Sequence, residues 1–374
     1  MRATYTESFL QELEKLNSAQ RSAVEQIEGP VMVIAGPGTG KTHILASRIG
    51  KILLETDTQP QNILCLTFTD AGVTAMRERL LQLIGPDGHR VHLYTFHSFC
   101  NAIIQDNLEL FGRQDLEPLG DLERVDLIRS LLDELDVEHP LKRGQSDVYF
   151  YETHLHDFFQ RCKMENWTAT YVIQQIDNWL NSLPERPEFR YQRNQGAQRK
   201  GDLKEAKIKE EQQRMQRLRA AAELYPRYEA AKQEARRYDY QDMILWVLRA
   251  FETHEYLLRS YQEQYLYLLV DEYQDTNGSQ NEILLQLINY WDTPNVFIVG
   301  DDDQSIFEFQ GARLKNLTDF YTKYQQDLQT VVLTENYRSV QSFLDSAGHL
   351  IQHNQLRVIS QLQALELNKN LKAA

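Results

Sequence analysis

The chain has few cysteines and no long apolar run. These two absences argue against a disulfide- or zinc-stabilised protein and against a membrane-spanning one. Its three cysteines, Cys65, Cys100 and Cys162, are scattered and form no Cys-x-x-Cys pair. Disulfide scaffolds and zinc sites need several cysteines at short spacing, so we predict reduced thiols in or near a core. No apolar run reaches membrane-spanning length, and the N-terminus lacks the apolar segment of a signal peptide. We therefore predict a cytoplasmic protein without a membrane partner.

An excess of positive charge is also missing. The 40 lysines and arginines are outnumbered by 54 aspartates and glutamates, which gives a net charge of −14. This balance argues against a protein that coats nucleic acid through bulk electrostatics, but it leaves room for a local basic groove. Residues 185–211 combine arginines and lysines with Phe189 and Tyr191. They are compatible with contact to a nucleic-acid backbone and equally with a solvated helix face or a loop.

The sequence does contain a glycine-rich turn between an apolar run and a helical pattern. The apolar run, 31–34, predicts a buried parallel strand. The turn comprises Ala35, Gly36, Pro37, Gly38, Thr39, Gly40, Lys41 and Thr42. Glycines allow backbone N–H groups to form a concave nest at a helix N-terminus, which suits phosphate. Lys41 is then expected to reach the β- and γ-phosphates and Thr42 to bind Mg²⁺, so the turn predicts a nucleoside triphosphate site. Ala35 departs from the usual pattern, which begins with glycine.

Further apolar runs alternate with helical stretches. The runs are 62–68, 91–94, 265–270, 295–299 and 330–333. This alternation predicts an α/β fold with a doubly wound parallel sheet. Residues 103–240 lack such runs and have helical periodicity with many charges. We predict a core made from 1–102 and 235–325, a helical insertion at 103–234, and the start of a second domain at 326–374.

Each strand-like run ends in polar residues, and ligands of open α/β sheets bind at the carboxyl ends of the strands. Asp271 is placed to hold Mg²⁺ together with the loop threonine, and Glu272 to activate the attacking water. Gln304 is placed to sense the γ-phosphate, and Arg338 to stabilise charge in the transition state. The amide of Gln20 could pair with adenine. Read singly, these residues also fit a common acidic turn, a surface arginine and a solvated helix glutamine.

The ordered set of motifs resembles the UvrD/Rep/PcrA-type helicases of superfamily 1. The matching segments are 16–20, 35–42, 67–69, 95–98, 271–275, 300–306 and 335–339. The resemblance covers roughly residues 14–355 and implies a RecA-like P-loop fold with ATP and Mg²⁺ as cofactors. It also implies a DNA helicase or translocase that moves 3′ to 5′ on single-stranded DNA, acts at junctions of single- and double-stranded DNA, and serves DNA repair, replication or recombination.

The resemblance also assigns roles to single residues. Gln20 would read adenine and Tyr337 would stack on it. The residues that would face single-stranded DNA are Phe68, Thr69, Thr95, His97 and Phe309. Stacking on an aromatic ring tolerates any base, which suits a motor that moves along any sequence. Core packing is the alternative role for Phe68 and Phe309.

Two departures from the family pattern affect the expected activity. Phe309 and Gln310 stand where the family usually has Trp and Arg, so stacking is weaker and a cation is lost. The last two family motifs are absent from the 374 residues, so we expect this chain alone to hydrolyse ATP poorly and not to unwind duplex DNA. The alternative function is a nucleotide-dependent DNA-binding or regulatory module without motor activity, which Glu272 disfavours because a pure binder needs no water-activating carboxylate.

Overall fold

The computed structural model forms two compact units. One, the sheet unit, comprises Met1–Phe111 and Met243–Ala374, and the other, the helical unit, comprises Gly112–Asp242. The structure describes residues 3–112, 116–143, 147–194, 196, 198–301, 303–304, 315–351, 353 and 369–374. The division into two motor domains and an insertion, with the bounds given above, stays a prediction.

The elements are short strands separated by helices in the sheet unit, and mostly helices in the helical unit. The strands are β1 Val31–Ala35, β2 Ile63–Thr67, β3 His92–Thr95, β4 Glu117–Pro118, β5 Arg237–Tyr238, β6 Tyr267–Val270, β7 Val296–Gly300, β8 Gln329–Leu333, β9 Glu335–Asn336 and β10 Lys372–Ala373. The helices are α1 Ala3–Glu14, α2 Ser18–Glu25, α3 Lys41–Glu55, α4 Asp70–Ile84, α5 Phe96–Asp106, α6 Leu108–Phe111, α7 Asp121–Asp133, α8 Glu152–Met164, α9 Ala169–Ser182, α10 Glu205–Glu234, α11 Tyr240–Thr253, α12 Glu255–Gln264, α13 Gly278–Ile288, α14 Lys315–Tyr324 and α15 Gln341–Ile351.

The main sheet has six strands in the order β3-β2-β6-β7-β1-β8, and all of its described pairings are parallel. In register, Val33 of β1 lies between Val299 of β7 and Val331 of β8. The residues of β1, β2, β6 and β7 are all buried. Strands covered on both faces read as continuous apolar runs, which is why the sequence pattern located them. The predicted α/β fold with a parallel sheet is confirmed.

The edge strand β8 lies within the range predicted for the start of a second domain. The sequence places 326–374 at the start of a second domain, but β8 is the edge strand of the main sheet. It pairs with β1 along its whole length, and the N–H of Gln329 donates to the carbonyl of Pro30 at 3.1 Å. Val331 and Leu333 are buried in the core of this sheet. Apolar content alone does not tell a strand which sheet to join, so the sequence pattern did not show that this strand pairs with β1.

The helical unit has its own core beneath the long helix α10. Phe159 of α8 stacks on Tyr225 and Tyr228 of α10, with ring centroids 5.6 and 4.8 Å apart. The two-residue strands β4 and β5 pair in parallel at the ends of this unit's chain segment. The absence of strand-like runs from this part of the sequence agrees with this largely helical structure.

The structure also describes the three cysteines and the length and apolar character of the helices. Cys65, Cys100 and Cys162 are free and buried, as predicted for reduced thiols in a core. Within the described ranges, none of the helices has both the length and the apolar character needed to cross a membrane.

Candidate nucleotide site

The glycine-rich turn forms a tight loop between β1 and α3. Gly38 has φ of 69° and Gly40 has φ of 89°, in the left-handed region that glycine adopts without a steric penalty. Gly40 is the N-cap of α3, so the loop ends at a helix N-terminus with its backbone N–H groups directed outward. Inside the loop, the hydroxyl of Thr39 donates to the carbonyl of Gly36 at 2.8 Å. This geometry suits an anion at the helix N-terminus.

The segment after β8 lies against this loop. The N–H of Tyr337 donates to the carbonyl of Gly38 at 2.9 Å, and the amide of Asn336 donates to the carbonyl of Pro37. A Cβ added to Gly38 would lie 2.7 Å from the Cβ of Arg338, so only glycine fits here. The structure therefore brings Arg338, predicted from the sequence as a transition-state cation, to the phosphate loop.

The two carboxylates that follow β6 lie beside the loop lysine. Asp271 is buried, and its carboxylate accepts the N–H of Glu272 at 3.0 Å. Glu272 has φ of 48°, a conformation that a non-glycine residue adopts only when its surroundings hold it there. Its Oε2 lies 2.7 Å from Nζ of Lys41. The loop cation and the predicted catalytic base, 231 positions apart in the chain, are thus in direct contact.

Negative charge is crowded at this edge of the sheet. Burial raises the pKa of Asp271 to about 7, and the neighbouring Glu272 carboxylate adds to the rise. Burial and the same carboxylate raise the pKa of Asp275 to about 6. Carboxylates whose charged forms are disfavoured in this way are typical of sites that bind a cation.

The donor set can be tested against Mg²⁺. In the described part of the chain, no group of three His, Cys, Asp or Glu side chains is arranged to hold a metal. Mg²⁺ in phosphoryl-transfer sites is commonly held by one or two carboxylates together with substrate phosphates, and needs no cage made only of protein. The buried Asp271 at a strand end and the hydroxyl of Thr42 at the start of α3 fit this mode, with the phosphates supplying the other ligands.

Gln304, the predicted γ-phosphate sensor, is held at the end of β7. Its amide donates to the carboxylate of Asp301, which is fully buried. The other oxygen of Asp301 pairs with Nζ of Lys369, which also lies 3.0 Å from Oδ2 of Asp303. Lys369 was not predicted as part of the site, because it stands in a polar stretch and its partners are more than sixty positions away. Asp301 was included only as part of a motif.

The two residues predicted to contact adenine are connected through Asn17, the N-cap of α2. Its side chain accepts the N–H of Gln20 at 2.8 Å and donates to the hydroxyl of Tyr337 at 3.0 Å. Gln20 is buried, and its Nε2 donates to the carbonyl of Thr39 at 3.0 Å. Gln20 therefore closes a capping box and contacts the phosphate loop, which the sequence did not anticipate. Its role with adenine stays a prediction.

Four of the residues predicted to face DNA, Phe68, Thr69, Thr95 and His97, lie at or just after the carboxyl ends of β2 and β3. Phe68 is half-buried. Thr69 caps α4 by accepting the N–H of Gly72 at 3.0 Å, and Thr95 caps α5 by accepting the N–H of Ser98. Both threonines thus have a structural role that their spacing from the helices could have revealed.

The DNA role of these residues stays a prediction. His97 lies in the first turn of α5, directly after the Thr95 cap. Phe309 lies outside the described residues.

Several basic side chains of the stretch 185–211 contact other residues of the same stretch. Phe189 is buried, and Nζ of Lys207 lies 4.8 Å from its ring centroid. Arg190 donates to the carbonyl of Gly201 at 2.8 Å, and Lys204 to the carbonyl of Glu188 at 3.1 Å. These contacts fold the stretch back on itself, so the ring of Phe189 is not exposed for stacking on a base. Contact of this stretch with nucleic acid stays an untested hypothesis.

A parallel sheet, a glycine-rich loop at a helix N-terminus and strand-end carboxylates beside the loop lysine together define a P-loop α/β protein. Comparison with known families makes this specific. The UvrD/REP helicase N-terminal domain model matches residues 16–325. The chain therefore belongs to the UvrD/REP helicase family.

Individual relatives agree with this assignment. The chain is 31% identical over 346 residues to the ATP-dependent DNA helicase PcrA of Staphylococcus epidermidis, covering 92% of this chain and 41% of the relative. It is 30% identical over 348 residues to the protein of the same name from Leuconostoc citreum, covering 93% and 40%. The chain thus spans about two fifths of the length of these curated relatives.

Proposed function

We propose that this chain is the ATP-binding part of a DNA helicase or translocase that couples ATP hydrolysis to movement on single-stranded DNA. The observation that carries the proposal is the 2.7 Å contact between Lys41 and Glu272. It joins a phosphate-binding loop to a carboxylate able to activate water, which are two of the parts that hydrolysis requires. The relatives are named as ATP-dependent DNA helicases, which supports the same function.

Each side chain has a definite task in this proposal. Lys41 binds the phosphates, and the N-terminus of α3 contributes its positive end to the same place. Asp271 and Thr42 would hold the Mg²⁺ that accompanies the nucleotide, and the ion would supply positive charge against the phosphate oxygens. Glu272 orients a water and accepts its proton at a carboxylate oxygen. Arg338, beside Gly38, neutralises negative charge that grows on the transferred group.

Coupling to DNA depends on the strand ends of the same sheet. Gln304 is held by Asp301 at the end of β7, where it can respond to the nucleotide. Phe68, Thr69, Thr95 and His97 follow β2 and β3 and are proposed to contact single-stranded DNA. The 3′ to 5′ direction, the action at strand junctions and a role in DNA repair, replication or recombination are proposed from the family resemblance alone.

The function is tested by a conservative change of the base. Glu272→Gln removes the proton acceptor but keeps size and polarity, so ATP binding is expected to persist. Loss of a general base typically lowers a rate by about 10²–10⁴-fold, and we expect a loss in this range. Because slow turnover by the chain alone is part of the proposal, the rate is measured in a single turnover with protein in excess over radiolabelled ATP.

A matched control and a contrasting outcome complete this test. Glu255→Gln, on the exposed surface of α12, is expected to leave rate and affinity unchanged. If the unmodified chain binds ATP but Glu272→Gln hydrolyses it equally fast, the motor interpretation fails and a nucleotide-dependent binding module is favoured. If the unmodified chain does not bind ATP, both interpretations fail.

A further inference from the structure

Gln274 lies between the proposed catalytic base and the end of the neighbouring strand. It is in the turn after β6, and its side chain is only 1% exposed. Its Nε2 donates to Oε2 of Glu272 at 2.8 Å, and its Oε1 accepts the backbone N–H of Asp301 at 2.9 Å. One side chain therefore connects the end of β6, which carries the base, with the end of β7, which carries Gln304.

The orientation of this amide is fixed by chemistry. A backbone N–H can only donate, so the N–H of Asp301 requires an oxygen facing it. An ionised carboxylate can only accept, so Glu272 requires an N–H facing it. Only an amide of this length offers an acceptor to one partner and a donor to the other. Neither glutamate nor methionine satisfies both contacts.

The surrounding backbone is shaped to admit Gln274. Gly300 is the last residue of β7, and a Cβ added there would lie 3.0 Å from Oε1 of Gln274. On its other side, Glu272 has a positive φ that the turn must hold. The backbone at Gly300 leaves room for the Gln274 side chain, and the positive φ of Glu272 places its carboxylate next to the amide. The neighbouring residues on both sides thus fix the position of Gln274.

Lys41 and Gln274 share the same oxygen of Glu272, Oε2. In the proposed function Lys41 has a second task, because it binds the phosphates of the nucleotide. When its Nζ turns to a phosphate, the amide of Gln274 continues to donate to the carboxylate. Misplacing a reacting group by about 1 Å can lower a rate by about 10²-fold, so a retained donor matters to the chemistry.

We propose that Gln274 is a positioning residue that orients the carboxylate of Glu272 for water activation and ties that orientation to the Asp301–Gln304 end of β7. This inference rests on the proposed function, because it assumes that Glu272 is the base. Gln274 touches the base and not the substrate. Its removal is therefore expected to change the rate of hydrolysis and to leave the affinity for nucleotide unchanged.

Two substitutions separate positioning from a purely structural role. Gln274→Met keeps the volume and loses the hydrogen bonds to Glu272 and Asp301, together with the one that Nε2 donates to Oδ2 of Asp275 at 3.2 Å. Gln274→Glu keeps the acceptor for the Asp301 N–H but sets a second carboxylate against Glu272 at pH 8. If Gln274 only joins the two strand ends, Gln274→Glu is near normal and Gln274→Met is not. If it positions the base, both variants lose activity.

The experiment measures single-turnover hydrolysis and equilibrium ATP binding on the 374-residue chain. We expect both variants to lower the rate constant about 10–100-fold, within the range expected for misplacing a reacting group. Affinity for ATP should stay within about twofold, because Gln274 is not proposed to contact the nucleotide. Gln262→Met is the control, since Gln262 is also buried and donates to the carbonyl of Gln286 at 2.7 Å, outside the site. Circular dichroism melting of each variant identifies any that fail to fold.

The possible failures are distinguishable. If Glu272→Gln hydrolyses ATP as fast as the unmodified chain does, the proposed function fails and the positioning role fails with it. If Glu272→Gln abolishes hydrolysis while folded Gln274→Glu retains the full rate, only the positioning role is overturned. A parallel loss in Gln262→Met would assign the effect to general packing and would also overturn it.

Discussion

Each unit of the molecule buries a cluster of charged side chains, and the two clusters differ in how their charges are paired. The first, at the carboxyl ends of the strands in the sheet unit, is the sheet-edge cluster: Lys41, Asp271, Glu272 and Asp275. The second, inside the helical unit, is the helical-unit cluster: Lys163, Glu229, Lys232, Asp239 and Asp242. Comparing them shows which physical property separates a candidate site from a structural ion-pair network.

In the helical-unit cluster, both lysines pair with carboxylates of the same cluster. Nζ of Lys163 lies 2.9 Å from Glu229 and 2.9 Å from Oδ1 of Asp242, and it also pairs with Asp239. Lys232 contacts the same three carboxylates. Burial acts to lower the pKa of Lys163, but its carboxylate partners raise it well above its usual value. Burial likewise acts to raise the pKa of Asp239, but Lys163 and Lys232 together lower it. Folding therefore favours the charged forms of Lys163 and Asp239.

The sheet-edge cluster has the opposite balance. Its single lysine faces three carboxylates, and the pKa of Asp271 and that of Asp275 rise to about 7 and about 6 through burial and the nearby Glu272 charge. Folding therefore opposes the charged forms of Asp271 and Asp275. Burial is common to both clusters, so burial alone does not mark a site. The direction of the carboxylate pKa shift distinguishes them.

The largest expected effect on stability comes from removing a cation from the helical-unit cluster. Lys163→Met leaves the largely buried carboxylates of Asp239 and Asp242 and the partly exposed one of Glu229 with one lysine. Breaking a buried network of this kind typically costs about 3–5 kcal/mol. We expect the urea midpoint of the helical unit to fall accordingly, measured by circular dichroism. Lys209→Met, on the exposed side of α10, is the control and should change stability by less than about 0.5 kcal/mol. Equal midpoints for the two variants would show that the cluster is not stabilising.

A smaller loss is expected from a single carboxylate of the same cluster. Asp239→Asn removes a charge that folding favours and should lower stability by about 1–2 kcal/mol at pH 8. Because the folded-state pKa of Asp239 is lowered, its contribution is present above the unfolded pKa and is lost as the pH falls through the folded value. The difference between variant and unmodified chain should therefore shrink in urea titrations at acidic pH. A difference that does not depend on pH would contradict the assigned cause.

The same chemical change should have the opposite sign at the sheet edge. Asp275 is buried, its pKa is raised to about 6, and its Oδ1 has no hydrogen-bond partner among the described residues. Asp275→Asn keeps an oxygen for the amide of Gln274 and removes a disfavoured charge, so we expect a gain of about 1 kcal/mol at pH 8. Because Asp275 becomes protonated in the folded chain as the pH falls below about 6, its unfavourable contribution to the unfolding free energy disappears and the gain should fade there. A loss of stability at pH 8 would break the comparison.

The sequence was sufficient to predict the parts of the fold that depend on local pattern. Val31–Ala35 and Val296–Gly300 are strands buried on both faces, and their continuous apolar runs located them within one residue. The gathering of the phosphate loop, Asp271 and Glu272 at one edge of the sheet was also expected, since the carboxyl ends of parallel strands meet there. The direct contact of Lys41 with Glu272 was not predicted.

The remaining features depend on which distant segments pack together. Nothing local distinguishes Gln329–Leu333 as an edge strand of the first sheet, and Lys369 has no pattern that points to Asp301. Gln274 was inside a matched motif, but its hydrogen bond to the Asp301 N–H follows from the alignment of β6 with β7. Pairwise geometry of this kind is fixed only when the sheet is assembled.

The most direct test of the central claim is the binding of ATP with Mg²⁺ to the 374-residue chain by isothermal titration calorimetry, compared with Lys41→Met. A charge-assisted hydrogen bond contributes about 1.5–3 kcal/mol, so losing the lysine should weaken binding about 10–100-fold. Lys51→Met, at a partly buried position on α3 whose lysine pairs with Glu55 outside the loop, should bind as the unmodified chain does. Equal affinity of the Lys41 variant and the unmodified chain would contradict the assignment of this loop and its facing carboxylates as the nucleotide site.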